Sequence, residues 1–118
     1  SATLVHETGL STQITAILKT PHYQRVTIFG ENGWVELVDS SHPDTPGDSE
    51  ITIRMSNGNI EKIKFNWTDT VSKNIQNFVD ASTNNKEYLF TDNEKYQNIA
   101  ILDAIKRSSS EDLIIKIE

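Results

Sequence analysis

The stretch Asn74-Ile75-Gln76-Asn77-Phe78-Val79-Asp80-Ala81, followed by Tyr88-Leu89-Phe90-Thr91 and then Asn98-Ile99-Ala100-Ile101-Leu102-Asp103-Ala104-Ile105, decides the fold class. Val71, Ile75, Phe78, Val79 and Ser82 recur at helical spacing along one stripe, with Asp69, Thr70 or Ser72 placed to cap it. Thr91 with Glu94 three positions later forms a capping box, in which the hydroxyl accepts from the N3 amide while the carboxylate accepts from the N-cap amide. Tyr96, Ile99, Ala100, Leu102 and Ile105 make the apolar side of the helix that this box opens. Lys106-Arg107 suit the negative pole of its dipole, and Ser108-Ser109-Ser110 reads as a polar link to a final strand at Leu113 to Ile117.

Working back from this helical pair, the period changes to two. Leu10, Thr12, Ile14, Ala16 and Leu18 share one parity around a Gly9-Leu10 break, which predicts a hairpin or two successive strands. Thr20-Pro21 interrupts the ladder, because proline has no N–H to donate, and a loop follows from Pro21 to Gln24. Arg25-Val26-Thr27-Ile28-Phe29 and Trp34-Val35-Glu36-Leu37-Val38 flank Gly30-Glu31-Asn32-Gly33, a tight hairpin signal. Glu50 to Met55 and Ile60 to Trp67 form another across Ser56-Asn57-Gly58-Asn59. Between the hairpins, residues 39–50 (DSSHPDTPGDSE) carry two prolines, a glycine and four acids, the composition of a solvated loop. The pattern predicts an α+β chain: an open, mainly antiparallel sheet of about six or seven strands, two C-terminal helices packed on one face, and the second face free.

A chain of 118 residues is in the single-domain range and can bury roughly two-thirds of its unfolded surface. A hydrophobic fraction of 36% and a mean hydropathy of -0.47 point to a thin core, or one completed by a neighbouring domain or subunit. The net charge of -6, from 17 acids against 11 bases with no basic cluster, repels phosphate backbones and argues against nucleic acid. The chain has no cysteine, which excludes disulfide and thiolate chemistry and suits a reducing compartment. No apolar run approaches the ~20 residues of a membrane helix.

Chemistry-bearing residues are sparse. His6, His22 and His42 have no metal-ligand spacing; His6 lies on an edge-like strand and His42 in the acidic loop, and His22 alone occupies a loop directed away from a sheet end. Asp44, Asp48 and Glu50 lack the spacing of a calcium loop. There is no nucleophile elbow, no P-loop and no G-x-G-x-x-G, since the glycines at 30, 33, 47 and 58 all serve turns. Asn66-Trp67-Thr68 matches a glycosylation acceptor but reads as a strand end, and Trp34 and Trp67 read as packing anchors.

Arg25-x5-Gly30-x2-Gly33-Trp34-x-Glu36, the helix Asn74-x2-Asn77-Phe78-Val79-Asp80-Ala81, and Tyr88-x2-Thr91-x2-Glu94-x3-Asn98-x3-Leu102-x-Ala104-Ile105-x2-Ser108 together span nearly the whole chain. In this order and spacing they resemble the C-terminal domain of the glucose-fructose oxidoreductase and inositol dehydrogenase family (Gfo/Idh/MocA). The resemblance implies a dihydrodipicolinate-reductase-like C-terminal domain that packs on an N-terminal Rossmann domain holding NAD or NADP. It further implies a cytoplasmic dehydrogenase, a sugar or polyol substrate lining this domain, and a homo-oligomer formed through the free sheet face.

The family's Glu-Lys-Pro-like motif and its His-Asp-bearing helix have no match here, so no catalytic, cofactor or metal residue is carried over. Residues 1–118 are therefore expected to be one domain, the substrate-binding and oligomerising part of a longer oxidoreductase whose Rossmann domain lies outside it. The loop entering the Arg25 strand faces the cleft in such enzymes, which makes His22 and Tyr23 the expected substrate contacts. Two other readings stand beside this one. The first is a non-catalytic dimerisation or small-ligand-binding module, suggested by apolar residues of both parities such as Ile17 beside Leu18 and Val35 beside Trp34. The second is a β-sandwich that stacks carbohydrate on Trp34 or Trp67.

Overall fold

A computed structural model describes residues 1–84 and 86–117. Its elements are β1 (Ala2–Val5), β2 (Ser11–Ile14), β3 (Gln24–Gly30), β4 (Gly33–Asp39), β5 (Ser49–Met55), β6 (Ile60–Phe65), α1 (Thr70–Asn84) and α2 (Asp92–Glu111). All strand pairings are antiparallel, and the class is α+β as the change of period predicts. The six strands do not make one sheet. β1 and β2 form a two-stranded ladder, and β3-β4-β5-β6 form a four-stranded meander. Two compact units result, residues 18–79 with the meander and residues 1–17 plus 80–118 with the small ladder and α2; the boundary falls within α1.

In the meander the register aligns Val26, Leu37, Ile51 and Ile63 across four strands, and Ile28, Val35 and Ile53 two residues along on the same side. The alternate rows bring together Thr27, Glu36, Thr52 and Lys62, then Arg25, Val38, Glu50 and Lys64. One face is thus mainly apolar, with Glu61 opposite Ile53, and the other is charged except toward the β3–β4 turn, where Phe29, Trp34 and Ile60 line up with Arg54. On the charged face, Lys62 Nζ lies 2.7 Å from Glu50 Oε1, Arg25 lies 3.7 Å from Glu36, and the Thr27 hydroxyl donates to Glu36 at 3.3 Å. Trp34 and Val35, neighbours in sequence, project to opposite faces because side chains alternate along a strand.

Each tight turn has a local cause. The β3–β4 connection needs only Glu31 and Asn32, with Gly30 paired to Gly33. Gly33 has φ +147, and a Cβ there would land on the Arg54 carbonyl of β5. Glycine is required at this position both for its dihedral and for the approach of the neighbouring strand. The β5–β6 turn closes with Gly58 N–H donating to Met55 O at 3.0 Å and Asn59 N–H to the Asn57 side chain at 3.0 Å.

Both helices are capped by side chains. Asp69 is the cap of α1: its carboxylate accepts from the Ser72 amide at 2.8 Å and from the Ser72 hydroxyl at 2.7 Å. The Thr91–Glu94 box opens α2, with Glu94 N–H donating to Thr91 Oγ1 at 3.2 Å and Thr91 N–H to Glu94 Oε2 at 2.8 Å. α2 runs straight through Ser108–Ser110 to Glu111, so the expected polar link is helix, and it stops at Asp112 in the left-handed region at φ 55. Ser110 returns its hydroxyl to the Arg107 carbonyl at 3.1 Å, and Arg107 reaches Glu111 at 3.4 Å. Residues 113–117 have no regular secondary structure where the alternation predicts a strand, and β2 ends at Ile14, leaving Ile17 and Leu18 outside any ladder. Alternation licenses a strand, but only a hydrogen-bonding neighbour makes one.

Burial is shallow. Among the described residues, Ala104 alone is buried, at 7% exposure. The apolar stripes of Phe78 and Ile75 on α1, and of Ile99 and Leu102 on α2, are exposed, and so are Val26 and Ile28 on the apolar sheet face.

Candidate functional site

The row Gln24, Asp39, Ser49 and Phe65 marks one end of the meander, where β3 begins, β4 ends, β5 begins and β6 ends. The segments 18–23, 40–48 and 66–69 all leave the sheet there. Antiparallel order alone forces loops distant in sequence to this common edge.

The loop 40–48 is not loose. Ser49 donates to Asp39 across its neck. Ser41 Oγ donates to Thr45 O at 3.1 Å, Thr45 N–H to His42 O at 2.9 Å, and Ser40 Oγ to Asp48 O at 3.4 Å. This bonding sets out His42 and Asp44 on one small turn.

His42 Nδ1 lies 2.6 Å from Asp44 Oδ1, and Thr45 Oγ1 donates to the same oxygen at 3.0 Å. With Nδ1–H donating to the carboxylate, a neutral His42 ring would carry its lone pair on Nε2. The Asp44 amide lies 3.5 Å from the same Nδ1. The His42 hydrogen bond, with help from Thr45, holds the Asp44 carboxyl below its ordinary range.

His22 meets the ring of His42 edge to face, with centroids 5.9 Å apart and planes at 70°. Trp67, half-buried just beyond β6, donates Nε1–H to the Pro43 carbonyl at 3.3 Å, which ties its indole to the turn that carries His42. Asp69 stands close enough for Asp44 to oppose the lowering that its own Ser72 hydrogen bonds produce. Tyr23, the other expected contact, is 64% exposed next to His22.

The sequence marks His22 but assigns His42 to solvent. The overlooked signal is His42-Pro43-Asp44-Thr45 itself: a proline between an imidazole and a carboxylate two residues apart restricts the backbone and lets the pair close locally. The contact with His22 could not be read this way, because it depends on how β3 and β4 pair. His6 lies just after β1, its Nε2 2.9 Å from Thr12 Oγ1.

Among the described residues, no group of three or more His, Cys, Asp or Glu side chains is arranged to hold a metal ion. Nor do the residues present suit a dinucleotide pyrophosphate. Such a group needs open amides at a helix N-terminus, whereas the first turns of α1 and α2 are occupied by the chain's own carboxylates, Asp69 and Glu94. The positive-φ glycines Gly33 and Gly58 lead into strands or turns, not into a helix.

Residues 3–117 match the oxidoreductase family, C-terminal alpha/beta domain. The chain belongs to this family. No curated protein and no solved structure matches it. For an oxidoreductase C-terminal domain, the antiparallel strands and two late helices are the expected content, and the match begins within β1 and ends in the segment after α2. Among the described residues, no helix is long and apolar enough to cross a membrane. Two concavities occur in this oxidoreductase domain, each confined to one unit: an apolar hollow at the Gly30–Gly33 turn beside Trp34 and Met55, and a groove along α2 between Ile99 and residues 115–117. Neither is lined by a histidine.

Proposed function

We propose that this chain is the substrate-side domain of an NAD(P)-dependent dehydrogenase acting on a sugar, polyol or related hydroxyl compound in the cytoplasm. The nicotinamide cofactor and the hydride-transfer machinery sit on a separate N-terminal Rossmann domain, and His22 and Tyr23 contact the substrate hydroxyls from the loop that enters β3. Family membership over residues 3–117 is the observation that supports this reading. The placement of His22 against a second imidazole at one sheet end supports its site.

The test is nicotinamide reduction by the protein encoded by the full gene, assayed over a panel of sugars and polyols. At least one should be oxidised, and His22→Ala should raise KM by about fivefold or more with kcat little changed, as expected when binding common to ground and transition state is lost. The 118-residue chain alone should leave NAD(P)H fluorescence unaltered. A gene with no glycine-rich βαβ segment upstream, or micromolar NAD(P)H binding by this chain, would remove the proposal.

A second role in the same enzyme is subunit contact through the meander. The register places Val26, Ile28, Val35, Leu37, Ile51 and Ile63 on one side, with Ile28 66% exposed, which supports an isologous homo-oligomer. Ile28→Lys should shift sedimentation toward the monomer, and wild-type protein that stays monomeric at high micromolar concentration would exclude this contact.

A further inference from the structure

We propose that Met55 is a site of reversible oxidation, at which conversion of its thioether to the sulfoxide by a peroxide weakens self-association of the meander face. This rests on the subunit contact proposed above, and adds the residue and the chemistry through which that contact responds to an oxidant.

Met55 is the only methionine and the chain has no cysteine, so its oxidisable sulfur is a single atom. The residue is 44% exposed at the end of β5. Its backbone is held there, with N–H donating to Asn59 O at 2.9 Å and the carbonyl accepting from Gly58 at 3.0 Å. Register gives it a particular neighbourhood. Gly30, Gly33 and Met55 form the last row on the mainly apolar face, next to the row of Ile28, Val35, Ile53 and Glu61. Because the other two members of the last row are glycines, Met55 brings its only side chain and borders the hollow that they leave.

With hydrogen peroxide the step balances. A sulfur lone pair attacks one peroxide oxygen, the S–O bond forms as the O–O bond breaks, and sulfur gives up two electrons; the departing hydroxide takes the proton of the transferred hydroxyl and leaves as water. A flexible apolar thioether becomes a polar group with a strong acceptor oxygen. In an isologous contact each copy presents the same hollow, so two such oxygens enter one interface. Among the side chains around the hollow, Ile28, Val35 and Ile53 offer no donor, the Glu31 carboxylate only accepts, and Trp34 belongs to the opposite face by alternation. That leaves the Asn32 amide, in the turn, as the side-chain donor for an oxygen that water satisfies fully in the separated chain. Oxidation therefore favours the separated chains. By linkage the effect is reciprocal, and association should shield Met55 from the oxidant.

The experiment combines sedimentation velocity with mass spectrometry on the chain before and after treatment with hydrogen peroxide. Wild-type protein should gain one oxygen on the peptide that holds Met55, and its association midpoint should move to about tenfold higher concentration or more. The two epimer-specific methionine sulfoxide reductases, supplied with dithiothreitol, should remove the oxygen and restore the midpoint. Met55→Leu should associate as wild type does and ignore peroxide, which separates the sulfur from any oxidation of Trp34 or Trp67. Met55→Gln should associate weakly with no oxidant present. Met55 should also oxidise more slowly above the association midpoint than below it, a difference absent from Ile28→Lys.

A midpoint unchanged after complete conversion of Met55, a peroxide effect that persists in Met55→Leu, or Met55→Gln protein that associates like wild type would each overturn the site. So would a Met55 that gains no oxygen under conditions that oxidise free methionine. These outcomes are distinct from failure of the contact itself. Untreated wild type that stays monomeric at high micromolar concentration removes the contact and the oxidation effect together, whereas an oligomer indifferent to the sulfoxide keeps the contact and loses only the oxidation site.

Discussion

Gly33→Ala tests the meander at its tightest point. Gly33 sits at φ +147, where an L-residue costs about 1 kcal/mol or more. A second cost is steric: the new methyl would occupy the position of the Arg54 carbonyl, so β4 must draw away from β5 where Gly33 faces Met55. Losing or stretching one ladder hydrogen bond adds about 1 kcal/mol, for a total of about 2–3 kcal/mol. Gly58→Ala is the matched control, because Gly58 has φ +89 but open space around its Cβ position, and only the dihedral cost of about 1 kcal/mol applies. Both tryptophans, Trp34 and Trp67, belong to the unit of residues 18–79, so urea denaturation followed by indole fluorescence reports this sheet directly. With a urea m-value of about 1–2 kcal/mol/M for so small a unit, the Gly33→Ala midpoint should fall by about 1–3 M and that of Gly58→Ala by about a third to a half as much. Equal midpoints for the two variants would refute the close approach of β4 and β5 at this residue.

Further outcomes follow from the caps and the charged face. Thr91→Ala removes the hydroxyl that accepts from the Glu94 amide, and should cost about 1 kcal/mol and shorten α2 at its first turn, read by amide exchange at residues 92–95. Asp69 and Glu94 both have folded values depressed below the ordinary 3.8 and 4.5 by hydrogen bonds to Ser72 and Thr91. A depressed carboxyl contributes stability that is complete above its ordinary value and lost as pH falls through the depressed one, so helical ellipticity should hold down to that range and then decline. Ellipticity that declines while both groups are still fully ionised would contradict this assignment. Lys62→Ala should leave the urea midpoint within error of wild type, because the ion pair with Glu50 is solvent-exposed on the charged face.

The sequence by itself determined the features whose causes lie within a few residues: the Thr91–Glu94 cap, the two hairpin turns with Gly33 and Gly58, and the change from period two to helical period near Val71. Local hydrogen bonding and dihedral preference specify these, and they appear in the structure with boundaries shifted by a residue or two. Where local pattern had no partner to act on, it misled. Leu113 to Ile117 alternates like a strand but pairs with none, and Ser108–Ser110 reads as a link but continues α2, because only Asp112 takes the left-handed conformation that stops it.

Tertiary structure alone decided that the six strands divide into separate sheets and that one meander face is mainly apolar while the other carries most of the charge, since register is a relation between strands. It also decided the candidate site. His22 and His42 are twenty residues apart and no spacing rule joins them; the antiparallel pairing of Gln24 with Asp39 does, by delivering both loops to one edge of the sheet.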